Sequence, residues 1–151
     1  MTAGEAIAQA DELRPNAYSR EQKLRWLRRL DGQILAELEL THGALASPTG
    51  GGAPEGGGRG NEPLSALRAT SPGGGSEAAL PDAYDADTGL LAPFPWGEGL
   101  YLAWLFCQID LHNGEIQRYN QSLALLASAW RSLADWINRR RTPLGPRAWR
   151  M

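Results

Sequence analysis

The chain of 151 residues has one cysteine, two histidines and two phenylalanines. The lone Cys107 cannot close an internal disulfide, so nothing in the sequence requires an oxidising compartment. Set in an apolar flank, it reads as a small buried hydrophobe. His42 and His112 do not share a helical turn, and Cys107 is the one soft ligand beside them, so no metal centre is expected. An excess of one charge is missing too. Fifteen Lys and Arg stand against 17 Asp and Glu, a net −2, which argues against bulk binding to nucleic acid or an anionic membrane. No window approaches the ~20 apolar residues of a membrane-spanning helix. Gln108, Asp110 and His112 interrupt the best one. Residues 1–10 carry Glu5 and lack a basic start and an apolar run, so no secretory signal is expected and the protein reads as soluble and intracellularly made.

What is present is helical pattern, most of all in residues 100–141. Leu102, Leu105, Ile109, His112, Ile116, Tyr119, Leu123, Leu126, Trp130, Leu133 and Ile137 follow a 3-4 spacing without slipping phase. That spacing puts side chains on one stripe of an α-helix. It predicts one long helix over 98–141, or two stacked nearly end to end, about 60 Å at 1.5 Å per residue. Asn113-Gly114 is a turn-prone pair near the middle. Because the seam keeps its phase across Gly114, the pattern favours a bend there; a reversal would instead make a compact four-helix bundle. His112, the polar member of the seam, reads as a register residue or one at a wet gap.

Two shorter helices precede it. Thr2-Ala3-Gly4-Glu5 fits a capping box and opens a helix that Pro15 must end near Arg14. Ser19-Arg20-Glu21-Gln22 is a second box, and Leu24, Leu27, Leu30, Ile34, Leu35 and Leu38 follow at helical spacing with Trp26 at the margin. Asp31 and Gly32 sit mid-helix, where each costs up to ~1 kcal/mol relative to Ala, so a kink, a close contact or a tolerated defect is expected there. Thr41-His42-Gly43 closes the helix, with Gly43 as a left-handed cap. The predicted fold is all-α, a small helical bundle in which helices 2–14 and 19–41 cover the seam of the last helix.

Ten of the 18 glycines fall between Ser47 and Glu77. Residues 46–80 have almost no aliphatic side chains to offset ordering entropy and read as a Gly/Pro-rich insertion, with at most a weak turn at 63–68. The chain is thus one domain, its core in 2–43 and 81–141, with a tail at 142–151. Residues 81–95 read as extended, since Pro93 and Pro95 forbid helix and central strand, with Leu90 and Leu91 buried. Asp82, Asp85, Asp87 and Gly89 miss the alternate-residue spacing of a calcium loop and read as solvated acids. No glycine cluster forms a phosphate loop, and no enzyme constellation is visible, so no catalytic residue, cofactor or metal is expected. The last thirteen residues carry five arginines and no acid. With Trp149 between Arg147 and Arg150, the composition is that of an interface anchor. Arg139, Arg140, Arg141, Leu144, Arg147, Trp149 and Arg150 are the candidate partner-binding residues.

Several words of the sequence run in a familiar order. Glu5-Ala6-Ile7, Asp11 with Leu13, Pro15, Asn16 and Tyr18, Lys23-Leu24 with Trp26-Leu27, Leu30-Asp31-Gly32 and Thr41-His42-Gly43 come first. Asp87-Thr88 with Leu90-Leu91, Pro93 and Pro95, Tyr101 with Trp104-Leu105, Gln108-Ile109-Asp110, Asn113-Gly114-Glu115-Ile116 and Tyr119-Asn120 follow. The chain resembles the head-to-tail connector (adaptor) proteins of tailed phages over nearly everything outside 46–80. The resemblance implies a mainly α-helical virion structural protein with no catalytic residues. It implies a homo-oligomeric ring below the portal, expected to be a dodecamer, that extends the DNA channel without sequence-specific binding. It implies contact with the portal protein and with the next tail or neck component, no membrane, and a place in the virion neck after assembly in the host cytoplasm. In such adaptors a C-terminal tail often reaches the portal, which residues 139–151 match in character. The Gly-rich stretch between Ser47 and Glu77 is longer than these proteins usually carry. A different reading is a small helical nucleic-acid-binding or regulatory protein using its Arg-rich C-terminus, against which the overall acidity speaks.

Overall fold

The structure, a computed structural model, describes residues 1–42 and 80–141. Among these, four helices form: α1 (Ala3–Leu13), α2 (Arg20–His42), α3 (Trp96–Asn113) and α4 (Ile116–Arg140). The expected cap at Gly43, the insertion up to residue 79 and the tail 142–151 lie outside the described residues.

The start of α1 leaves its first N–H groups without partners inside the helix, and each finds one nearby. Glu5 N donates to Thr2 Oγ1 at 3.2 Å and Thr2 N to Glu5 Oε2 at 2.7 Å, which completes the predicted capping box. Ala3 N and Gly4 N donate instead to the Thr88 and Ala86 carbonyls, at 2.9 and 2.8 Å. Residues 80–95 therefore run as a strap over the start of α1, with one antiparallel bridge between Thr2 and Gly89. Leu91 is buried, and Leu90 is partly buried against the core. The helix ends before Pro15 as expected, and Ser19 Oγ caps α2 by accepting from Gln22 N at 3.2 Å. Along α2 the buried face is Trp26, Leu27, Leu30, Ile34, Leu35 and Leu38, so Trp26 belongs to the core and not to its margin.

One expectation is overturned. Residues 98–141 are not one long helix, bent or straight: the chain reverses at Gly114, and α3 and α4 form an antiparallel hairpin. Gly114 takes a left-handed conformation with φ 73°, which only glycine adopts without strain. Gly114 N then donates to Leu111 O at 3.2 Å and Glu115 N to Asp110 O at 3.0 Å, the paired bonds of a Schellman cap that stops α3. Trp96 meets Trp136, and Asp110 meets Ser122; fourteen residues up one helix correspond to fourteen down the other.

The unbroken seam misleads because its two halves face different things. Tyr101, Trp104 and His112 of α3 meet α2, whereas Trp96 and Asp110 meet α4. Leu100, Tyr101, Ala103, Leu105, Cys107, Ile109 and Asp110 are all buried, so α3 is covered on every side and its spacing marks no single stripe. At the turn the seam lapses: His112 is exposed and Ile116 is 73% exposed. α1 and α2 lie against α3, and among the described residues α4 brings its backbone close to α3 alone. The fold is accordingly a helical bundle around α3.

The strap enters α3 through a tight approach. A Cβ placed on Gly97 would stand 2.3 Å from the Ala92 carbonyl oxygen, so this position admits no side chain. Gly97→Ala is expected to destabilise the protein by about 1–3 kcal/mol through overpacking, read as a lower midpoint in chemical denaturation.

Candidate functional site at the basic end of the last helix

Of the seven partner-binding residues expected, the described part of the chain holds three, on the last turn of α4 and its cap. Leu144, Arg147, Trp149 and Arg150 lie outside the described residues. Arg139 Nε donates to the Asp135 carbonyl at 3.2 Å. The Arg140 guanidinium sits 4.9 Å from the centroid of the Trp136 ring, and Trp136 is tilted 30° onto Trp96 at 5.1 Å. This column of cation, indole and indole ties the end of α4 to the start of α3. Arg141 closes α4, its N–H on Ile137 O at 2.9 Å. Its charge and those of Arg139 and Arg140 are each favourable at the carbonyl end of the helix dipole.

The end of α2 comes to the same place. His42 shares a 2.7 Å bond between its Nδ1 and Thr41 Oγ1. Burial, and then the charge of Arg141, push its pKa below the usual histidine range, with Asn138 opposing them. Phe94, 73% exposed, lies two residues before Trp96. Exposed aromatic and arginine side chains together have the composition of a protein-contact surface. Trp96, Trp136 and Phe94 were not singled out for this end from sequence. Their shared location depends on the hairpin, which no local spacing reveals.

Two buried polar networks were also missed. In the first, Arg14 donates to Asp110 Oδ2 and, at 3.0 Å, to Ser122 Oγ, while Ser122 Oγ donates to Asp110 Oδ2 at 2.6 Å. Asp110 and Ser122 are fully buried, and Arg14 also stacks 4.4 Å over Phe106. The ion pair locks the end of α1 onto the α3–α4 hairpin. Arg14, Asp110 and Ser122 bond to one another and so tie the end of α1 to both helices of the hairpin. Burial, and then the charge of Asp110, push the neighbouring Cys107 thiol up to about 11, which keeps it protonated and inert at neutral pH. An aspartate between Ile109 and Leu111 was the available signal.

In the second network Asp31 Oδ1 accepts from Tyr101 Oη at 2.5 Å and Asp31 Oδ2 from Tyr84 Oη at 2.8 Å. Tyr101 Oη in turn accepts the Ala92 N–H at 3.0 Å. Asp31 is thus the close contact that its mid-helix position implied, and Leu80 lies over the neighbouring Gly32. His112 rests its ring on Trp26 at 5.0 Å and on Tyr18 at 5.8 Å, a surface stack and not a member of a continuous seam. Asp85 turns inward to its own loop, accepting from Asp87 N and Thr88 Oγ1. Among the described residues no helix is long and apolar enough to cross a membrane, and no three metal-ligating side chains group together.

No family model, no curated protein and no solved structure matches the chain.

The Arg14–Asp110 pair can be tested as a structural tie. Arg14→Met leaves a buried carboxylate without its cation and is expected to cost about 3–5 kcal/mol in urea unfolding. Adding Asp110→Asn removes that charge and should recover part of the loss, so the two changes are non-additive.

Proposed function

We propose that the chain is a head-to-tail connector of a tailed phage, a virion structural protein that assembles as a ring below the portal and docks through the basic end of α4 and the tail beyond it. The observation that carries this reading is the ordered resemblance quoted above, which runs through both halves of the chain. Its words include residues on which this fold depends. Asp31 and Tyr101 form one buried network, Asp110 belongs to the other, and Asn113-Gly114-Glu115 makes the reversal between α3 and α4. The all-helical architecture supports the reading, as does a helix end where Arg139, Arg140 and Arg141 follow one another, with Arg140 over the Trp136 ring. In this role the Arg14–Asp110–Ser122 tie holds the three helices at the hairpin end together while other surfaces make contacts, and no chemistry is required of any side chain.

Removing residues 142–151 should leave a folded protein that no longer joins portal-containing heads; unchanged affinity of the truncated protein would refute the tail's role. Arg139→Glu with Arg140→Glu is expected to weaken portal binding by about tenfold or more with unchanged far-UV circular dichroism, because a docked arginine leaves its partner charge unpaired when reversed. Light scattering of the protein alone and with portal measures the ring. The nucleic-acid reading rests on the same three arginines and on Trp149 between Arg147 and Arg150. It requires filter binding that falls steeply between two salt concentrations, as phosphate contacts must.

A further inference from the structure

Asp31 is 1% exposed in the middle of α2, and among the described residues no Lys or Arg forms an ion pair with it. Asp110, equally buried, has Arg14. A buried carboxylate without a cation is held only by hydrogen bonds, and here the strap supplies most of them. Tyr84 Oη reaches one oxygen, the Leu91 N–H faces the same carboxyl, and the Ala92 N–H steadies the Tyr101 hydroxyl that reaches the other oxygen. The strap is therefore both the roof that keeps water from Asp31 and the source of its partners.

We propose that residues 80–92 are a proton-controlled latch, closed most firmly over α2 and α3 when Asp31 carries a proton and loosened as Asp31 ionises. The titratable and charged groups around Asp31 are Tyr84 from the strap, Tyr101 from α3, and Arg28, three residues before it on α2, which acts on Tyr84. Burial, and then the charge of Asp31 itself, raise both tyrosines above their usual range, so they stay protonated and serve as donors at any pH of interest. Tyr101 Oη already accepts from Ala92, so its own proton must go to Asp31 Oδ1. An added proton on the carboxyl then belongs on Oδ2, where Tyr84 turns to accept it and donates outward to water. Both states are satisfied; only the ionised one keeps a charge out of water.

Lifting the strap admits water to Asp31 and removes that cost. Burial in the closed state pushes the Asp31 carboxyl up to about 6 from its ordinary 3.8. A raised folded value means that the closed state is favoured below 3.8 and that the advantage is lost as pH climbs through 6. The opening equilibrium is thus expected to rise roughly tenfold from pH 5 to pH 7.5, within a ceiling on the order of a hundredfold.

Hydrogen exchange of the intact chain, corrected for the intrinsic pH dependence, reads this directly. The N–H groups of Ala3, Gly4, Leu90 and Ala92 are bonded across the strap and exchange when it lifts, and interior amides of α3 serve as the reference. The wild type should open about ten times more readily at pH 7.5 than at pH 5, and Asp31→Asn should show no such change. Equal opening of the wild type at the two pH values, or the same tenfold change in Asp31→Asn, overturns the latch. If Asp31→Asn does not fold, carbon-13 titration of the Asp31 carboxyl in the wild-type chain decides. A midpoint near 6 supports the latch, and one near the ordinary 3.8 overturns it.

Discussion

The hydrogen bond from Tyr101 to Asp31 joins the first half of α3 to the middle of α2 with both partners out of water. Much else in the molecule depends on it. α3 is covered on every side, so each polar group it carries inward must find a partner within the fold. Tyr101 does so through Asp31 and Ala92, and those two bonds fix where the strap crosses and how Gly97 passes beneath the Ala92 carbonyl. The strap then caps α1 through the carbonyls of Ala86 and Thr88. One buried carboxylate thus orders four segments, at the cost of a charge that burial opposes.

The second buried aspartate solves the same problem differently. Asp110 has a cation, and the Arg14 that neutralises it comes from the end of α1 and also touches Ser122 of α4. This tie holds three helices at the hairpin end of the molecule. Asp110 has its cation in Arg14, whereas among the described residues no Lys or Arg forms an ion pair with Asp31. Reversible movement is therefore expected at the strap and not at the hairpin.

Local signals in the sequence were reliable wherever the physics is local. The Thr2–Glu5 capping box and the stop before Pro15 involve neighbours in the chain and appear as read. So does the non-helical run through Pro93 and Pro95, although it bends and turns and is not extended throughout. Of the Ser19–Gln22 box only the half in which Ser19 accepts from Gln22 N forms. The long seam failed because periodicity describes one helix and is blind to which neighbour covers it. Two half-seams on α3 and α4 can share a phase although α3 is covered on every side and α4 packs against α3. The Asn113-Gly114 pair was the correct signal for the reversal, and it concerned two residues against a pattern of eleven. At the candidate site, the three arginines on α4 were legible from composition. Trp96, Trp136 and His42 were not, since they reach that end only through the antiparallel hairpin and the end of α2.

Sequence alone determined that the chain is helical, where α1 and α2 begin, and that its last thirteen residues carry five arginines and no acid. Those properties follow from backbone capping, side-chain spacing and composition, which act within a few residues. The tertiary structure decided that the last helical pattern folds back on itself. It also decided that Asp31 and Asp110 are buried, and that one is paired with a cation while the other is roofed by the strap. Burial is the reason for the division. The energy of a carboxylate depends on what excludes water from it, and here the side chains bonded to Asp31 and Asp110 lie 12 to 96 positions away along the chain.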